Sequence, residues 1–207
     1  LGGAVAEGNG TGVVGVAPRA QIYGVKVLTK EGSGSSWGII SGIDWCVENK
    51  MQVINMSLGS PRSSPFIERA VRKAIEAGVT VVAAAGNDSG SVNFPAAYDG
   101  VIAVSALDQD DTIAKFSSRG PQVAFIAPGV KVPSTVPYFH SPDGYKAYSG
   151  TSMASPHVAG LAALAVARGA QGSEAVRTAL TFAAQKLPGL SDTEQGAGVI
   201  DAAKLAR

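Results

Sequence analysis

Residues 52–87 read QVINMSLGSPRSSPFIERAVRKAIEAGVTVVAAAGN, and their pattern decides the architecture. The runs QVINMSL (52–58) and VTVVAAA (79–85) are short, apolar and rich in β-branched residues, and each ends on a turn signal, as strands buried on both faces do. Between them SPFIERAVRKAIEAG (64–78) opens on Ser-Pro and closes on Gly78, the marks of a helix start and stop. Strand, helix, strand implies a crossover between parallel neighbours. Working outward, a strand-like QIYGVKVL (21–28) and a helical SWGIISGIDWCVENK (36–50) precede this unit, and a strand-like VIAVSAL (101–107) follows it. The expectation is one α/β domain built on a mostly parallel sheet. Within 117–148, QVAFIAPG and VKVPSTV are expected to form a strand pair or loops lying over that sheet.

Composition narrows the function classes. With Lys+Arg 17 against Asp+Glu 16, the chain has no basic footprint for nucleic acid or an anionic membrane surface. No apolar run reaches the roughly 18 residues of a membrane span, and LGGAVAEGNG at the start lacks the basic region of a signal peptide. A soluble, already processed chain is the expectation. Cys46 is the sole cysteine, which excludes an internal disulfide and a cysteine-based metal site; in GIDWCVENK it reads as a buried small hydrophobe.

In a parallel sheet, ligands sit in the crevice beyond the carboxyl ends of the strands. That directs attention to Gly32–Ser36, Ser57–Gly59 and Gly86–Asp88. The first loop, EGSGSSWG, imitates a dinucleotide fingerprint and fails it: Trp37 stands where the third glycine belongs, and no acidic residue ends the following strand. A glycine loop beside a crevice also suits an extended peptide lying along its backbone.

The stretch YSGTSMASPHVAGLAALAVARG (148–169) supplies the chemistry. From 152 to 168 it is apolar nearly all round, as a central buried helix is. Two readings of its start stand side by side. Thr151 or Ser152 caps the helix, with Pro156 tolerated in the first turn. Alternatively, the Ser152 hydroxyl sits at the positive end of the helix dipole, where free N–H groups stabilise a developing oxyanion. Asn87, in AGNDSG after a strand end, is likewise either a turn former or a donor facing the crevice.

A nucleophilic serine needs a base, and neither histidine qualifies. His157, five residues on along the helix, lies about 140° around and ~7.5 Å along from Ser152. His140, in YFHSPDG, belongs to a polar loop.

GTSMASPHVAG (150–160) resembles the serine motif of the subtilisin-like serine proteases. NMSLG (55–59), VVAAAGN (81–87), FSSRGP (116–121), APGV (127–130), GVAP (15–18) with YGVKVL (23–28), and GAGVIDA (196–202) resemble further motifs of that family, in its order, over essentially the whole chain. The resemblance implies a three-layer subtilisin-like α/β fold, its mostly parallel central sheet flanked by helices on both faces and incomplete in this chain. Residues 1–207 correspond to the C-terminal portion of the peptidase domain, without the segment that carries the catalytic Asp and His.

By the same resemblance, Ser152 is the acylating nucleophile, and the Asn87 amide and Ser152 N–H are the oxyanion donors. Gly32, Ser33 and Gly34 on one side, and Ser57, Leu58 and Gly59 on the other, clamp a polypeptide substrate as an added strand. Ala84, Ala85 and Gly86 wall the first side-chain pocket, with Asn93 near its base where relatives commonly carry glycine; apolar or aromatic side chains are the expected occupants. AEGNGTGV (6–13) resembles a structural calcium loop using the carbonyls of Glu7, Thr11 and Val13 and the side chain of Asn9. A weaker cation site is expected at the carbonyls of Ala96, Tyr98 and Val101.

The implied activity is that of a serine endopeptidase, with this chain the larger, serine-bearing part of a cleaved two-chain enzyme. Its expected partner is an N-terminal fragment of the same precursor carrying the Asp and His. A propeptide or protein inhibitor is a further partner the family allows, and secretion is the expected localisation. Nucleic acid and membrane are not expected. The competing reading is a non-catalytic pseudoprotease that captures extended peptides.

Overall fold

In the computed structural model, which describes residues 12–205, the first regular element is helix α1 (Ser36–Glu48). The Ser35 side chain caps it by accepting from the Gly38 N–H at 3.1 Å, and its inner face buries Ile43 and Cys46. Burial pushes the Cys46 thiol above its ordinary pKa, so it behaves as the core hydrophobe its setting suggested. Strand β1 (Val53–Met56) follows, then α2 (Pro65–Glu76). Ser64 caps α2, Pro65 takes its first position, and Glu68 and Lys73 sit at the ends of matching dipole sign. Strands β2 (Thr80–Ala84), β3 (Ile102–Leu107) and β4 (Val123–Pro128) complete a parallel sheet in the order β1-β2-β3-β4.

Every residue of β2 and β3 is buried, as expected of strands covered on both faces. The period-two alternation sends Val81, Ala83 and Ala103 toward Val71 and Ala74 of α2, and Val82, Ile102 and Val104 to the opposite layer. That second layer is α3 (Thr151–Ala167) with α4 (Gly172–Ala183) packed beside it. Small residues of α3, among them Ala154, Ala159 and Ala162, are fully buried, so the helix axis approaches the strands closely across all four of them. The result is the expected three-layer α/β/α arrangement.

Three expectations change. Residues 21–28 form no strand: Ile22 is 56% and Tyr23 54% exposed, while Val25 and Val27 lie against Gly42 of α1. A β-branched run becomes a strand only beside a partner edge, and among the described residues β1 pairs with β2 alone, leaving its other edge open. QVAFIAPG is not a loop over the sheet but contributes its fourth strand, because Val123, Phe125 and Ile126 are buried within it. VKVPSTV contains β5 (Val132–Thr135), which pairs antiparallel with β6 (Tyr145–Tyr148) in a separate hairpin leading into α3. Two short strands, β7 (Ala184–Gln185) and β8 (Val199–Ile200), pair antiparallel around α5 (Asp192–Gln195), and the short helix α6 (Ala202–Leu205) follows. The Gln195 side chain, 1% exposed, satisfies Leu187 and Leu190 backbone groups inside that loop.

His157 sits on α3 with Nδ1 2.8 Å from the Met153 carbonyl, and burial pushes its pKa below the usual imidazole value. An unfolded imidazole takes its proton near pH ~6.5, the folded one only below that. Between those values the unfolded chain holds more protons, so acid favours unfolding. The carboxyls of Asp88, Asp143 and Glu194 are pulled downward and titrate lower still. Melting temperature is therefore expected to fall between pH 7.5 and 5.5, and His157→Gln to flatten that fall; an unchanged slope in the variant contradicts the assignment.

Candidate functional site

Two loops at carboxyl ends of the sheet meet the first turn of α3. The helix cap is Gly150, whose φ of 155° and ψ of 159° suit glycine alone, and no side chain of its own segment caps it. Thr151 and Ser152 are therefore the first two helical residues, and neither is the cap the sequence suggested. The cap arrives from elsewhere in the chain: Oδ1 of Asn87 accepts from the Thr151 N–H at 2.8 Å and from the Thr151 hydroxyl at 2.9 Å. The Thr151 hydroxyl in turn accepts from the Gly86 N–H at 3.1 Å, with Thr151 wholly buried.

This network fixes which way the Asn87 amide faces. With Oδ1 committed to two donors, Nδ2 is turned outward, and no described residue accepts from it. The Ser152 N–H also has no acceptor among the described residues, being one of the orphan donors of a helix start. Ser152 Oγ stands beside them, half-buried, 3.4 Å from the Ser57 carbonyl. The structure thus brings Ser152 and Asn87 together with two unengaged donors at the positive end of a 17-residue helix.

The second loop supports the serine from below. Pro156 is the sixth residue of α3, beyond the first turn where the sequence reading placed it. Lacking an N–H, it leaves the Ser152 carbonyl without its helical donor. The Ser57 hydroxyl fills that place, donating to the Ser152 carbonyl at 2.9 Å. Having spent its one hydrogen, Ser57 Oγ accepts from Asn55 Nδ2 at 2.9 Å and lies 2.9 Å from Ser155 Oγ. Sequence reasoning assigns Ser57 a backbone role only, reads Thr151 only as a candidate helix cap, and gives Asn55 no role. The proline four residues after Ser152 was the available signal, since the carbonyl it orphans demands an outside donor.

Around this centre, Gly32, Ser33 and Gly34 form an exposed turn held by the Thr29 N–H on the Ser33 carbonyl at 2.8 Å. They face Leu58 and Gly59 across a cavity of about 440 Å³ whose apolar wall includes Ile39, Ile67 and Phe94. Ala84, Ala85 and Gly86 are buried at the end of β2, and Asn93 is half-buried beside them. The Asp88 carboxyl is held below its ordinary pKa, chiefly by the Ser118 hydroxyl at 2.6 Å and then by the Gly90 N–H. Neither histidine is brought to Ser152: His157 is tied to Met153 on the helix, and His140 lies exposed in the β5–β6 hairpin.

The cation expectations fare differently. Glu7, Asn9 and Thr11 lie outside the described residues; the Val13 carbonyl accepts no hydrogen bond from the described ones. The set Ala96, Tyr98 and Val101 does not fit a cation. The Val101 carbonyl already accepts from the Arg177 guanidinium at 2.8 Å, and the Tyr98 carbonyl from the Val101 N–H at 3.2 Å. A fixed positive group on the same oxygen repels the ion the site was expected to hold.

The link between Ser57 and Pro156 makes a stability prediction. Ser57→Ala leaves a half-buried carbonyl without its donor and is expected to cost about 1–3 kcal/mol. Pro156→Ala restores the helical N–H, so the double variant should recover most of that loss in a denaturant-unfolding cycle. Additive losses would show that the hydroxyl does not replace the missing donor.

The chain matches the model described as "Subtilase family" over residues 1–198. It is 51% identical to Subtilisin DY of Bacillus licheniformis over 165 residues, 77% of this chain and 59% of that protein. To Alkaline elastase YaB of Bacillus sp. (strain YaB) it is 45% identical over 201 residues, 96% of this chain and 52% of the other. A solved structure titled "Crystal Structure of a Lanthipeptide Protease" superposes with a TM-score of 0.82 at 26% identity, covering 92% of this chain and 71% of its own. The chain spans about half the length of the sequence relatives it matches. The family model covers nearly the whole chain and relatives near half identity accompany it: the chain belongs to the subtilase family.

Proposed function

We propose that this chain is the serine-bearing part of a serine endopeptidase. The observation that carries the reading is the Asn87–Thr151 network, which leaves the Asn87 amide and the Ser152 N–H aimed outward beside the Ser152 hydroxyl. In the proposed reaction Ser152 Oγ attacks a peptide carbonyl and gives its proton to an imidazole. The two N–H donors hold the tetrahedral oxyanion, and the amine leaves with that proton. Water then hydrolyses the ester. In a subtilisin, losing one such donor costs about 10²–10³ in kcat, and that family figure is the expectation for Asn87.

The imidazole and its carboxylate belong, in this proposal, to sequence outside these 207 residues, carried by an N-terminal fragment of the same precursor in a cleaved two-chain form. Two features support docking at the open edge of β1. Among the described residues, the apolar run 21–28 pairs with no strand, and Asn55 Oδ1, in β1, is buried without a donor. Polypeptide substrates would lie extended between Gly32–Gly34 and Ser57–Gly59, the cavity between them receiving a larger apolar side chain. Function outside the cell belongs to the same reading, on the strength of the family resemblance. No helix among the described residues is long and apolar enough to cross a membrane.

A fluorophosphonate probe tests the reading. The full protein is expected to be labelled at Ser152, and this chain alone to be labelled far more slowly. Failure to label the full protein sinks the proposal in favour of a peptide-binding pseudoprotease.

Calcium is proposed at the 6–13 loop, where the Val13 carbonyl accepts from no described residue and Glu7, Asn9 and Thr11 would add ligands toward the roughly 6–8 oxygens the ion takes. Dialysis against a chelator should lower the melting temperature, and calcium should restore it; an indifferent melting curve removes the ion from the account.

A further inference from the structure

The proposed hydrolysis gives the Asn55 amide nitrogen no part. Val53, two residues earlier on β1, packs on the α3 layer, so the alternation of the strand puts Asn55 on that same face. Packing alone does not call for an amide there, because burying an NH2 group costs stability unless it is hydrogen-bonded. Asn55 Nδ2 has one partner among the described residues, the Ser57 hydroxyl at 2.9 Å. That hydroxyl has one hydrogen, two lone pairs and three neighbours, since the Ser152 carbonyl and Ser155 Oγ also stand 2.9 Å away. The carbonyl can only accept, and the amide NH2 can only donate. Ser155 Oγ, on a fully buried residue and with no other partner among the described ones, can give or take a hydrogen. With Asn55 Nδ2 on one lone pair of Ser57 and the Ser155 hydrogen on the other, the Ser57 hydrogen is left for the Ser152 carbonyl. An acceptor at position 55 would claim that hydrogen instead. The carbonyl that Pro156 deprives of its helical donor would then have no donor among the described residues.

We infer that Asn55 is a positioning residue for Ser152: by donating to Ser57 it commits the Ser57 hydrogen to the Ser152 carbonyl, and so fixes the first turn of α3 that carries the nucleophile. This rests on the hydrolase reading and deepens it. Asn55 reaches the serine through Ser57 alone, without touching Ser152 itself. Any catalytic effect of the amide must therefore vanish once the Ser57 hydroxyl is gone.

The test measures kcat and KM of the full protein on a tetrapeptide p-nitroanilide in alkaline buffer. Fluorophosphonate titration counts active sites, so misfolded protein is not scored. Asn55→Asp keeps the shape of the side chain and turns its donor into an acceptor, whereas Asn55→Leu removes the donor without claiming the hydrogen. Asn55→Asp is expected to lower kcat at least about tenfold with KM within about twofold, and Asn55→Leu to lower kcat less. In a Ser57→Ala background neither substitution should lower kcat further by more than about twofold. A packing role predicts that the apolar change falls as far as the isosteric one or further. A buried charge acting directly on the site predicts a fall that persists in the Ser57→Ala background. Either pattern, or an unchanged kcat in Asn55→Asp, overturns the inference while leaving the hydrolase reading intact. Absence of both label and cleavage in the unchanged protein overturns the hydrolase reading and this inference with it.

Discussion

The acceptance of two hydrogen bonds by one amide oxygen, Asn87 Oδ1, is the interaction on which the site depends. A helix that begins on glycine in an extended, side-chain-free cap has its first N–H unsatisfied, and a buried helix start cannot rely on water. Asn87 supplies the missing acceptor from a loop 64 residues away. The same act orients the amide, because an oxygen that faces the helix turns the NH2 group outward. Structural need and site geometry are thus met by one side chain, with Thr151 holding both Asn87 and Gly86 in register.

The α3 helix imposes the second constraint. It packs across every strand of the main sheet, which demands alanine and glycine on its buried face. It also contains Pro156, which removes one rung from its hydrogen-bond ladder at the carbonyl of Ser152. The Ser57 hydroxyl restores that rung from the carboxyl end of β1. The serine is consequently held from two directions, by β2 through Asn87 and Thr151 and by β1 through Ser57. An arrangement tied to two adjacent parallel strands is as rigid as the sheet beneath it.

These ties explain where variation is tolerated and where it is not. The loop after Asn87 is tied by backbone hydrogen bonds to Ala85 after β2 and to Ser60 after β1, so it is fixed on both sides. The open edge of β1 and the unpaired run 21–28 lie on the other side of the domain's logic. There the backbone presents hydrogen-bonding groups with no partner among the described residues, which is how a sheet accepts another strand. The buried Asn55 Oδ1 at that strand accepts from no described residue.

Much of this was legible before any coordinates. Short β-branched apolar runs and Ser-Pro or Gly boundaries placed β1, α2, β2 and β3 within a few residues, because these signals act over a turn or a strand and need no distant partner. Strand ends then located Asn87 and Ser57, and an all-apolar run located the helix behind Ser152. Pairing was not legible. Residues 21–28 have strand chemistry and no strand, and the carbonyl of Val101 looked available and belongs to Arg177. Contacts across 64, 76 and 95 residues depend on how loops return over the sheet, which local periodicity does not encode. The sequence alone determined which elements form and which residues stand at their ends; the tertiary structure alone decided which donor meets which acceptor, because a hydrogen bond depends on separation in space.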